Sequence, residues 1–87
     1  MNDELHLEIG GRRNSHWAIA ARDLASAVRT GRYSPDERLP TLLSLAAANE
    51  VDPRTMSRAL RRLRELGYVT YRRGYGYFVS HTPPGYE

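Results

Sequence analysis

The sequence predicts an α+β domain of the winged helix-turn-helix class: three helices followed by a C-terminal two-stranded wing. Three observations predict it. Residues 15–30, 41–49 and 52–66 each carry apolar residues at helical spacing. Only a tight turn at Glu50-Val51 separates the second of these from the third, the connection that makes a helix-turn-helix. The run "RRGYGYFV", residues 72–79, reads as the tip and return strand of a hairpin.

Each element has its own local cause. In residues 1–14, Leu5, Leu7 and Ile9 alternate, which reads as a short strand or a loose arm, and Gly10-Gly11 opens a basic link. Ser15 is placed to cap the first helix, whose stripe is Trp17, Ala20, Ala21, Leu24, Ala27 and Val28. Gly31 stands where a left-handed residue closes such a helix. A turn at Ser34-Pro35-Asp36 leads into Arg38-Leu39-Pro40, and the proline keeps Leu39 extended. Thr41 caps the second helix, with Leu42, Leu45 and Ala46 inward. Asp52 caps the third, and Pro53 takes its first position, where a missing N–H costs nothing. Gly67 ends it. Strands at 68–72 and 77–80 then flank a tip at 73–76. The domain therefore runs over residues 15–80, between the arm and a flexible tail at 81–87.

Composition narrows the class. A chain of 87 residues makes one small domain. It buries only about 60–65% of its unfolded surface, so stability is marginal unless a second subunit adds to the core. The absence of cysteine excludes disulfides and thiolate metal sites and fits a reducing compartment. No apolar run reaches the length of a membrane span, and the acidic N-terminus is unlike a signal peptide, so a cytoplasmic, nucleoid-associated protein is expected. Net charge is +3, unevenly spread: residues 1–50 hold six arginines against seven acids, residues 51–87 seven against three. All thirteen basic residues are arginine, whose planar fork suits phosphates and guanine edges, although a GC-rich genome gives the same composition. The asymmetry points to nucleic acid, or to an anionic membrane surface.

The third helix carries the chemistry. Met56, Ala59, Leu60, Leu63 and Leu66 share one face, and Arg54, Ser57, Arg58 and Arg61 the opposite one. Exposed arginines often mean no more than a solvated face. Here the face is almost purely cationic, and it starts at the end that a helix-turn-helix inserts into the major groove. Arg54 and Arg58 are placed to reach base edges, with bidentate contacts to guanine. Thr55 and Ser57 are short donors for a base edge or a phosphate, and Arg61 suits a backbone phosphate. Arg62 and Arg64 lie off this face and read as surface charges, while Asp52 reads as a cap alone. His6, His16 and His81 show no metal spacing, and no nucleophile–base pair is visible. Neither an enzyme, a metal nor a cofactor is expected.

From about Trp17 to Val79 the chain resembles the DNA-binding domain of the GntR family of bacterial repressors. The motifs that carry the match are "LPTLLSLA", "VDPRTMSRALRRLRELGYV" and "RRGYGYFV", the second being most similar to the YtrA-like branch. The resemblance implies that Thr41 and the first amides of its helix anchor a phosphate. It implies that Arg54, Thr55, Ser57 and Arg58 enter the major groove, with Arg38 in the DNA-facing set. Arg72, Arg73, Gly74 and Gly76 would approach the minor groove, with Tyr75 against the sugar-phosphate backbone and Tyr71 and Tyr77 packed on the sheet. Leu43 stands where the family often has an arginine, Glu50 replaces a turn glycine, and Tyr77 replaces a wing threonine. Eight residues follow Val79, so no effector domain or small-molecule pocket is expected, whether the chain is a complete minimal regulator or a fragment. The expected function is a sequence-specific regulator of transcription, a repressor, binding an inverted repeat in double-stranded DNA as a homodimer. The dimer would form through the first helix with Trp17, through Leu5–Ile9, or only on DNA. Two alternatives share the features: an architectural or recombination accessory DNA binder, and a winged-helix module docking an acidic protein.

Overall fold

Caps and apolar spacing set the helices. In the computed structural model, which describes residues 3–85, the order is α1 (Asp3–Ile9), α2 (His16–Arg29), α3 (Leu42–Ala48), α4 (Pro53–Glu65), β1 (Val69–Arg72) and β2 (Gly76–Val79). The Thr41 hydroxyl accepts from the Ser44 amide at 3.1 Å, and the Asp52 carboxylate from the Thr55 amide at 2.7 Å. Each satisfies one of the donors that a helix start leaves unpaired. Ser15 has the extended backbone of a cap but makes no side-chain cap bond. Glu50 takes the left-handed conformation expected of its position, with φ +56°, and lets the Val51 amide return to the Ala46 carbonyl at 3.0 Å.

The N-terminal strand or loose arm is corrected to a helix, α1. Leu5 and Ile9 are four residues apart, so a helix puts both on one face, and both are buried; Leu7, on the other side, is 80% exposed. A strand would have placed all three together. Residues 1–2 of the expected arm and 86–87 of the expected tail lie outside the described residues.

The core forms where α2 crosses α4. Ala18, Ala21, Ala25 and Val28 on α2 are fully buried against Met56, Ala59, Leu60 and Leu63 on α4. Alanines let the two backbones approach closely, and each large side chain removed from water contributes about 1.5–3 kcal/mol. α1 covers one end of this layer, and α3 packs on α4 from the other side through Leu45 and Ala46.

The hairpin pairs Val69 with Val79, Thr70 with Phe78, Tyr71 with Tyr77 and Arg72 with Gly76, antiparallel. Val69 and Val79 root it in the core. The other edge of β2 is occupied too: the Leu39 amide donates to Tyr77 O at 2.9 Å and the Val79 amide to Glu37 O at 2.8 Å. That bridge fixes the wing relative to the start of α3. Residues 81–85, expected as part of a free tail, turn back onto the body, with His81 Nδ1 2.9 Å from Asp36 Oδ2 and Pro83 buried. No helix of the described residues is long and apolar enough to cross a membrane.

Candidate nucleic-acid interface

The exposed surface of α4 divides into a midline and two flanks. Arg54 and Arg61 are seven residues apart, two helical turns, so they stand in line along the midline, both exposed. Ser57 and Arg64 lie on the flank facing the hairpin, where the Arg64 guanidinium is 5.7 Å from the Tyr71 ring centroid. Arg58 and Arg62 lie on the flank facing α2 and α1. The Asp52 cap fixes where this surface starts. Hydrogen bonding from Thr55 holds the Asp52 carboxyl below its usual range, so it stays ionised as a cap.

On the hairpin side a groove of about 500 Å³ separates α4 from the wing. Thr41, Ser57, Tyr71, Tyr75, Gly76 and Tyr77 border it, with Arg38 at its rim. The Thr41 hydroxyl is engaged at this edge, donating to Ser44 Oγ at 3.0 Å as well as capping α3. Gly74 and Gly76, with φ of +86° and +100°, allow the tip to reverse, and the Tyr75 amide closes it on Arg72 O at 2.9 Å. Tyr71 and Tyr77 pack ring to ring at 5.0 Å on the inner face of the wing. Tyr75 projects from the tip, 62% exposed. Arg72 alternates to the outer face, its guanidinium 4.6 Å from the Phe78 ring centroid, whereas Arg73 is exposed at the tip.

On the opposite flank a second cleft, of about 580 Å³, lies between α4 and the start of α2. Arg54, Thr55, Arg58 and Arg61 form one wall, and His16 and Trp17 belong to the other. The Arg58 guanidinium lies over the Trp17 ring, 4.6 Å from its centroid. The structure therefore brings the expected residues together in two sets. Arg38, Thr41, Ser57, Tyr75 and Gly76 gather at the wing groove; Arg54, Thr55, Arg58 and Arg61 gather at the α2 cleft. Arg72, Arg73 and Gly74 border neither.

Two residues act differently from the sequence reading. Arg62 is a structural residue: its Nε donates to Ile9 O at 2.9 Å and its Nη2 to Glu8 O at 3.0 Å, closing the C-terminal end of α1. Trp17, read as part of the core stripe, is only half-buried and supports Arg58. Nothing local in the sequence reveals a partner 41 residues away.

The model for bacterial regulatory proteins of the gntR family matches residues 18–79. The chain belongs to the gntR family. It is 37% identical over 68 residues to an uncharacterized HTH-type transcriptional regulator of Streptomyces coelicolor. That match takes in 78% of this chain and 25% of the relative, so the chain spans about a quarter of the relative's length. Among solved structures, a GntR family transcriptional regulator from Listeria monocytogenes shares the fold with a TM-score of 0.76 at 23% identity, over 84% of this chain and 64% of that one. The AraR DNA-binding domain in complex with operator ORE1 superposes with a TM-score of 0.73 at 26% identity, over 76% and 80% of the two chains. The expected winged helix-turn-helix is thus the observed fold, and it is shared with members of this family.

Proposed function

We propose that this gntR-family regulator reads a specific sequence in double-stranded DNA, an inverted repeat bound by a homodimer, and represses transcription there. The observation that carries the reading is the shared side of α4 and the wing. Arg54 and Arg61 line the exposed midline of α4, and Tyr75 and Gly76 of the wing tip border the groove on one flank of that helix, with Arg73 exposed beside them. A major groove about 12 Å wide admits one such helix. Arg54, in its first turn, is the base reader, with bidentate contact to guanine; Thr55 and Ser57 supply shorter donors. Arg61, Thr41 and Arg38 meet phosphates, and Arg73 enters the adjacent minor groove, whose negative potential favours arginine. The solved AraR DNA-binding domain in complex with operator ORE1, which shares this fold, supports operator DNA as the partner. A dimer covering an operator would exclude polymerase, which makes repression the simplest outcome.

The test is selection of bound duplexes from a random library at about physiological salt, where phosphate contacts alone bind weakly. An enriched inverted repeat with half-sites about one helical turn apart is the expected result. Arg54→Ala should then lose about 1–3 kcal/mol of discrimination at one position of each half-site. No enrichment of any sequence would sink the reading.

A further inference from the structure

We infer that the cleft between residues 14–17 and α4 is a second DNA-backbone site, in which Trp17 positions Arg58 against a phosphate. The inference rests on the DNA-binding reading above and assigns Arg58 a role that its place in the sequence does not suggest. Residues 14–17 precede the stretch that the family model matches.

The cleft has the chemistry of an anion site. One wall presents the guanidinium groups of Arg54, Arg58 and Arg61, and the other the polar side chains of Asn14, Ser15 and His16. No carboxylate lines it, in a chain with ten acids. Stacking on an indole uses the face of a guanidinium and leaves its in-plane N–H donors directed outward, the arrangement that binds a phosphodiester in bidentate fashion.

Trp17 is itself held in place. Its ring lies so close to Gly11 that a Cβ built there would sit 2.5 Å from Cζ2, and Gly11 has φ +75°. The link carrying Gly11 is closed by the Ser15 amide donating to Arg12 O at 3.0 Å and tied to α2 by Arg22 Nη2 donating to Arg13 O. The indole is therefore a fixed platform, and Arg58 stacked on it is drawn to the α2 flank of the helix. For a helix whose first turn lies in the major groove, the midline of that turn meets bases, whereas the flanks and the later turns meet the two sugar-phosphate strands. Arg58 thus meets the strand opposite to the one nearest the wing, and the duplex is gripped from both sides of α4.

Binding to the selected operator and to a scrambled duplex, titrated between about 50 and 200 mM salt, tests this. Arg58→Ala should weaken both duplexes by the same factor and reduce the slope of log K against log salt by about 1, with base preference unchanged. Trp17→Ala should show the same loss, and Trp17→Phe, which keeps an aromatic face, should bind nearly as wild type. The inference is overturned if Arg58→Ala relaxes preference at a base pair while scrambled-duplex binding and the salt slope stay at wild-type values. It is equally overturned if Trp17→Ala, folded by circular dichroism, binds with wild-type affinity and slope. Should Trp17→Ala fail to fold, Arg58→Ala decides alone, since Arg58 is exposed and outside the core. A wild-type protein that prefers no duplex overturns the DNA reading itself, a result distinguishable from either variant outcome.

Discussion

Tyr68 ties α1 and the end of α2 to the start of the hairpin through one phenol. It is fully buried, its O–H donates to the Glu8 carboxylate, and Arg29 Nε donates to its oxygen at 2.9 Å. Burial first, and then the bond to Glu8, push its pKa up to about 12. An unfolded tyrosine titrates near 10, so the folded chain binds this proton more tightly than the unfolded one. The resulting stabilisation is complete below about pH 10 and is lost as pH rises towards 12. Tyr68→Phe should lower stability by about 1–2 kcal/mol at neutral pH, because Glu8 and Arg29 lose a shared partner. Urea melts at pH 7 and at intervals from pH 10 to 12 would measure both effects. The variant should lose less stability over the alkaline interval than wild type; equal losses would mean that another group titrates there.

Helix α1 is secured by residues far away in sequence, which is why it is the element the sequence conceals. Leu5, Leu7 and Ile9 satisfy a strand alternation, yet Leu5 and Ile9 alone also satisfy one helical turn. What decides between them is tertiary: Arg62, on α4, donates to the carbonyls of Glu8 and Ile9. A helix of seven residues is too short to hold by its own hydrogen bonds. By contrast α2, α3, α4 and the hairpin carry their causes locally, in Thr41, Asp52, Pro53, Gly31, Gly67 and the glycine tip. The midline arginines were equally readable, because helical spacing alone puts Arg54 and Arg61 opposite Leu60 and Leu63. The stack of Arg58 on Trp17 was not, since no spacing rule relates residues on two different helices. Arg62→Ala should therefore free α1 while leaving the rest folded, at a cost of about 1–2 kcal/mol. Hydrogen exchange would report it: amides of α1 should lose protection and those of α4 should keep theirs. Uniform loss of protection across both helices would show instead that α1 is part of one cooperative unit with the core.

Under the proposed function, whether α4 and the wing dock on DNA as one body depends on the coupling between them. β2 is hydrogen-bonded on one edge to β1 and on the other to residues 37–39, which lead directly into α3, and α3 packs on α4. The wing is thus joined to α4 by a short path of backbone hydrogen bonds and buried side chains. Arg54 borders the cleft beside α2, whereas Arg73 is exposed at the tip of the wing. If the folded chain docks as a preformed rigid unit, each arginine makes its own contact independently, and their losses add. Arg54→Ala should relax base preference, whereas Arg73→Ala should weaken all duplexes alike and lower the salt slope by about 1. The double variant should then lose the sum of the two within about 0.5 kcal/mol. A double loss well short of the sum would mean that removing either contact already disengages the other, so that helix and wing dock only together. Gly74→Ala, strained at φ +86°, should shift the tip and so weaken binding without altering which bases are read, since α4 keeps its place; a change in base preference would show that the tip also sets the position of α4 on the duplex.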